Sequence, residues 1–202
     1  MKRADIFSLG VLASTALGSA LVYPRLPAQV ATHFDLRGVA NDWQPRGVAV
    51  WLLPAFGAGL WLVMRVLAPR MKKSGGPPEW AAAGTLGFVC ALHVFLLGHA
   101  LDASLDVNRG AALLIGALFV VLGLLMPRAR QNPLFGVRTY WTLRSPESWA
   151  KTNRLAGTLF VLGGVLVVLG GLLFPAAAIG LVIAVALAIA VVSTIASYRY
   201  AQ

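Results

Sequence analysis

Six apolar runs decide what this chain can become. They cover Ile6 to Val22, Val48 to Leu67, Trp80 to Leu101, Gly110 to Met126, Leu155 to Phe174 and Pro175 to Ala196. A helix needs roughly 20 mostly apolar residues to cross the hydrocarbon of a bilayer, and each run comes close to that. Inside lipid a backbone must satisfy its own amides and carbonyls, which makes such runs helices. The expected fold is therefore an all-α integral membrane protein with six transmembrane helices. Composition agrees: 58% of the 202 residues are hydrophobic and 12% are charged, against about 25% charged in a soluble domain. The first run follows Met1-Lys2-Arg3 and holds Gly18 and Ala20 where a signal peptidase could cut. It is read as a retained span, because five further spans follow and insertion needs no removable signal. Three units result: a first hairpin over 1–67 with a loop domain at 23–47, the third and fourth spans over 68–126, and a polar segment plus a C-terminal hairpin over 127–202.

Charge gives the orientation. Seventeen Lys and Arg stand against seven Asp and Glu, a net charge of +10. In a soluble protein this would suggest nucleic acid. Between apolar runs it means loops facing an anionic inner leaflet, so the lipid bilayer is the first partner and direct nucleic-acid binding is not expected. With the N-terminus inside, the inner loops hold Lys2, Arg3, Arg65, Arg70, Lys72, Lys73, Arg128, Arg130, Arg138, Arg144, Lys151, Arg154 and Arg199. The outer loops hold only Arg25, Arg37, Arg46 and Arg109. Positive-inside bias then puts both termini in the cytoplasm. Cys90 is the sole cysteine, so no intrachain disulfide can form.

One long passage breaks the apolar pattern: Asn132 to Gly157, NPLFGVRTYWTLRSPESWAKTNRLAG. It is polar, basic and aromatic at once. Gly136 stands where the backbone needs freedom, ahead of Arg138, Thr139, Tyr140 and Trp141. Ser145-Pro146-Glu147 is a helix start: Ser caps free amides, Pro fits the first turn, and Glu suits the positive end of the dipole. From there Trp149, Asn153, Ala156 and Phe160 recur at helical spacing on one side. The helix is predicted to run unbroken into the fifth span.

The remaining polar positions are fewer. The outer loop Tyr23 to Gly47 is punctuated by Pro24, Pro27, Gly38 and Pro45, which argues against a long helix. It is read as a small ordered cap, with Phe34 and Trp43 at the membrane interface beside His33. In the third span His93 is an intramembrane ionisable group and a functional candidate by default, although a neutral imidazole bonded to a neighbouring helix also accounts for it. His99, Asp102 and Asp106 fall at spacings of three and four at the outer mouth. They form either a relay or metal site or a helix end entering water, and the latter is the reading adopted, with no metal site assigned. Gly163, Gly164, Gly170 and Gly171 permit close helix contact in the fifth span. No phosphate-cradling loop, zinc pattern or nucleophile elbow is present. An enzyme is not expected, and no cofactor is implied.

The polar passage resembles the signature of the SdpI family of bacterial immunity proteins: Asn, then Gly-x-Arg-Thr-x-Trp-Thr, then Trp-x-Lys-Thr-(His or Asn)-Arg, then Gly. Here these are Asn132, Gly136, Arg138, Thr139, Trp141, Thr142, Trp149, Lys151, Thr152, Asn153, Arg154 and Gly157. The outer loop resembles a small domain of unknown function that often precedes that signature, through Leu26-Pro27, His33-Phe34, Gly38, Trp43 and Arg46. Ala31 stands where a second proline is usual, and Asn41 where an aspartate is. The resemblance implies a multi-pass protein of the bacterial cytoplasmic membrane with two roles. One is protection against a membrane-active peptide toxin outside. The other is retention of a small repressor protein at the membrane inside, with Arg138, Arg144, Lys151 and Arg154 as the docking face. Two other readings remain: a small-solute or proton-coupled transporter built on His93 and the His99 group, and a membrane scaffold without a toxin role.

Overall fold

A computed structural model describes residues 3–71, 79–132 and 135–202. Lys2, Lys72 and Lys73, which enter the charge argument, lie outside the described residues. Among the described residues seven α-helices and one hairpin follow in order: α1 Arg3–Val22, β1 Gln29–Phe34, β2 Ala40–Pro45, α2 Arg46–Met71, α3 Glu79–Leu101, α4 Val107–Leu125, α5 Tyr140–Arg144, α6 Pro146–Leu173 and α7 Ala178–Arg199. Among the described residues six helices are long and apolar enough to cross a membrane; the exception is α5. The spans therefore agree with the sequence reading. α6 starts on the Ser145 cap, whose side chain accepts from Ser148 N, and runs unbroken to Leu173. The fifth and sixth spans are joined by a 3₁₀ turn over Pro175–Ala177.

The loop between the first two spans adds sheet to an otherwise helical chain. β1 and β2 pair antiparallel, with Val30 opposite Gln44 and Phe34 opposite Ala40. Prolines deny the loop a helix, so its amides find one another across the strands instead. The turn is set by Asp35, whose Oδ1 accepts from Arg37 N at 2.8 Å and Val39 N at 2.9 Å. Gly38 sits at φ 79°, a conformation that suits a residue without Cβ. The hairpin rests on the bundle. Leu26, beneath it, is buried with Val50 and Leu97, the Phe34 ring meets His99 edge-on at 5.4 Å, and Gly38 packs on the Asn108 side chain. Trp43 is half exposed.

The helices form two connected groups. α1, α2 and α3 pack on one another, α4, α6 and α7 do likewise, and α3 meets α4. α1 buries its polar side: Asp5, Ser8, Thr15 and Ser19 face inward while Ile6, Leu17 and Leu21 are exposed. This inversion is what a lipid environment selects, since only the bundle interior offers hydrogen bonds. In the second group α4 and α6 cross at backbone contact. A Cβ on Gly123 would lie 2.6 Å from the Gly157 carbonyl, and one on Gly164 would lie 2.6 Å from the Gly116 carbonyl. Gly116 and Gly123 on α4, and Gly157, Gly164 and Gly171 on α6, are spaced by sevens, the period of a left-handed antiparallel pair. The Gly-Gly pairs of α6 split between neighbours. Gly164 and Gly171 meet α4, while Gly163 and Gly170 meet Val185 and Leu181 of α7. Ala112, Val167, Ala178, Val185 and Ile189 form the buried core of this group.

Candidate functional site

The signature passage folds as a hydrogen-bonded plug across the ends of α4, α6 and α7. It begins with Asn132, 3% exposed, whose amide closes a local turn. Nδ2 donates to Arg130 O at 2.7 Å and to Phe135 O at 3.1 Å, and Oδ1 accepts from Phe135 N at 2.8 Å. The chain next passes Gly136 at φ 114°. A Cβ there would come 2.5 Å from Asn153 Oδ1 and 3.2 Å from the Trp149 ring. Space and conformation both demand glycine.

Asn153 explains the crowding. Its Oδ1 accepts from Val137 N at 2.8 Å while its Nδ2 donates to Trp149 O at 3.0 Å. The side chain is 1% exposed and ties the loop strand to α6. Trp149 ties the other side, its indole N–H donating to Ala129 O at 2.8 Å. Thr139 and Thr142 then start α5 with a reciprocal capping box. Thr142 N donates to Thr139 Oγ1, and Thr139 N to Thr142 Oγ1 at 2.9 Å. Thr142 Oγ1 donates in turn to Val137 O at 2.8 Å. Gly157, further along α6, admits α4. Asn132, Gly136, Thr139, Thr142, Trp149, Asn153 and Gly157 therefore act together as framework.

Gln131, Ser148 and Ser197, which the sequence reading passed over, complete the plug together with Tyr198, which it took as part of an interfacial anchor with Arg199 and Tyr200. Thr139 Oγ1 donates to Ser197 Oγ at 2.9 Å, and Ser148 Oγ donates to Ser197 O at 2.8 Å, so the last turn of α7 is locked to the loop and to α6. Gln131 Nε2 donates to Thr142 O at 2.7 Å. Tyr198 meets the Trp141 ring edge-on at 5.2 Å. No local pattern marks Ser197, which lies 58 positions from Thr139; its inward position on α7, one turn from Ser193, is the usable signal.

The cations lie on the outside of this framework. Arg138, Arg144, Lys151 and Arg154 are all exposed. The Arg144 guanidinium stacks over the Tyr140 ring at 4.3 Å and also donates to its hydroxyl. Lys151 pairs with Glu147 at 2.6 Å. Buried amides and hydroxyls thus carry a basic, aromatic outer face.

The other candidate residues are dispersed. His93 is 2% exposed, and its Nε2 lies 2.8 Å from Ser19 Oγ. The Ser19 hydroxyl donates its one proton to Thr15 O at 2.8 Å, so the imidazole is the donor of the pair. α3 ends at Leu101, so the helical spacing from His99 to Asp106 does not exist in space. His99 Nδ1 instead donates to Leu105 O at 2.9 Å, and Asp106 caps α4 through Arg109 N at 2.8 Å. Hydrogen bonds from the Ser104 hydroxyl and amide hold the Asp102 carboxyl below its ordinary pKa, with help from nearby His99. Among the described residues no group of three His, Cys, Asp or Glu could hold a metal. In the hairpin, His33 Nδ1 bonds Asn41 Oδ1 at 2.6 Å.

Comparison with known proteins follows the same division of the chain. Residues 128–197 match the SdpI/YfhL protein family. Residues 10–58 match a domain of unknown function, DUF1648. Over 99% of this chain, and 96% of the other, the sequence is 24% identical to Immunity protein SdpI of Bacillus subtilis (strain 168). No solved structure matches. The chain thus carries an SdpI/YfhL-family segment at 128–197, which includes most of the plug and the last two spans, behind a DUF1648 segment at 10–58 that includes the hairpin.

Proposed function

We propose that this chain is an integral membrane immunity protein that protects a bacterial cell against a membrane-active peptide toxin. On this reading both termini and the plug lie in the cytoplasm, and the hairpin of β1 and β2 faces outward. The toxin is met by the hairpin and the span bundle. The plug reports that state to a small repressor protein held on Arg138, Arg144, Lys151 and Arg154. Similarity to an immunity protein along nearly the whole chain supports the protective role. The observation that carries the site is the contrast between layers of the plug. Its buried Asn132, Thr142, Ser148, Trp149 and Asn153 side chains are bonded to backbone at fixed geometry, whereas lipid attraction alone would accept any Lys or Arg in a loose loop.

Survival of toxin-sensitive bacteria expressing the chain tests the proposal. Cells with the wild-type protein should outlive cells without it when dosed with a toxin of the type that collapses membrane potential. Equal killing at matched, membrane-inserted expression would contradict the protective role. Pull-down of a small cytosolic regulator that is lost in Arg138→Ala would support the docking face, and retention in that variant would remove it.

A further inference from the structure

The plug leaves one face of the last hairpin uncovered, and that face carries a cleft. A groove of about 350 Å³ lies between α6 and α7, lined by Leu155, Val192, Ile195, Ala196, Arg199 and Tyr200. Its walls are apolar, and Val192 and Ile195 are exposed along a spanning helix. Its rim is basic. The Ser148–Ser197 bond sets the antiparallel register, so Lys151 stands one turn above Leu155 and Arg199 one turn above Ile195 at the same end of the bundle. The Lys151 ammonium lies 5.9 Å from the centre of the Tyr200 ring, which places it on that rim. Glu147 is the sole Asp or Glu after Asp106 in the sequence, and its pair with Lys151 is exposed at both ends. An exposed pair of this kind contributes little and can yield to another anion.

We infer that this groove binds an anionic phospholipid, with its phosphate between Lys151 and Arg199 and an acyl chain between Leu155, Val192 and Ile195. The walls face the hydrocarbon of the bilayer, so an acyl chain is the occupant at hand. The rim selects among lipids: two cations favour an anionic headgroup and repel the ammonium of a zwitterionic one. The site shares Lys151 with the proposed docking face, but its measurement needs neither toxin nor regulator.

Native mass spectrometry of the full chain, released from nanodiscs holding equal phosphatidylglycerol and phosphatidylcholine of the same acyl chains, tests the assignment. Wild-type protein should retain phosphatidylglycerol about tenfold over phosphatidylcholine. The double variant Lys151→Gln, Arg199→Gln should retain both equally. Val192→Trp, which fills the groove and leaves the cations in place, should lose the bound lipid. Circular dichroism of each variant checks that the helices are intact; all three substitutions are at exposed positions. Equal retention by the wild type, an undiminished preference in the double variant, or full lipid retention in Val192→Trp would each overturn the assignment.

Discussion

Asn153 is the residue on which the plug depends most. Its side chain is buried, accepts from the Val137 amide of the loop and donates to the Trp149 carbonyl of its own helix. Replacing it with Ala leaves the Val137 amide without its acceptor and opens a void beside Trp149. Asn153→Ala should cost about 1–3 kcal/mol, read as a lowered midpoint of unfolding in detergent together with new protease cleavage between Arg130 and Arg144. An unchanged midpoint and an uncut loop would contradict the framework role. The hairpin has its own such residue. Hydrogen bonding from the Val39 amide, supported by Arg37, holds the Asp35 carboxyl below the ordinary carboxylate value. A depressed folded pKa stabilises the turn above the ordinary value, and that contribution is lost as pH falls through the folded value. Amide exchange at Val39, corrected for its intrinsic pH dependence, should therefore quicken as pH falls below the ordinary carboxylate range. In Asp35→Asn, which keeps an acceptor but no charge, the quickening should vanish. At this scale the sequence disclosed identity better than role. Arg138 and Asn153 stand out equally in the signature, yet one is exposed and the other is framework. Ser197 carries no mark of its own, because a partner 58 positions away leaves no local pattern.

Among elements, the six spans were legible because length and hydropathy decide them directly. The α6 start was legible because Ser-Pro-Glu has one main use. The strands were not. β2 reads Ala-Asn-Asp-Trp-Gln-Pro, and most of these residues are poor strand formers. Pairing with β1 and the Asp35 turn override that preference. α5 is five residues long, too short for any periodicity to register. Its cap uses Thr at both positions of the box, where Glu or Gln at the second is the recognisable form. The pairing of α4 with α6 was hidden for another reason. The glycines of the fifth span were visible as places of close helix contact, but nothing near them in sequence says which helix each one meets. The seven-residue spacing of Gly116 and Gly123 on α4 identifies the other partner. Gly123→Val would force a side chain into the Gly157 carbonyl and should cost about 1–3 kcal/mol or more. Gly10→Val, where a Cβ meets nothing within 4 Å, is the matched control. Similar thermal midpoints for the two variants would remove the backbone crossing from the account.

Over the whole molecule, two helical groups meet through α3 and α4, the hairpin sits at one end and the plug at the other. The orientation argued from charge puts these ends on opposite sides of the membrane. Cys90 is buried, so a Cys90→Ser background allows single reporters. With a membrane-impermeant thiol reagent on intact cells, Asn41→Cys should label and Gln202→Cys should not; the reverse pattern would invert the protein. The claim that joins the ends is that the plug takes part in protection. Its most direct test is membrane potential, followed by dye in toxin-treated sensitive bacteria expressing either the wild type or Arg138→Ala at equal membrane levels. The wild type should hold its potential and the variant should lose it. A variant that holds its potential as well as the wild type would contradict a role for the plug in immunity.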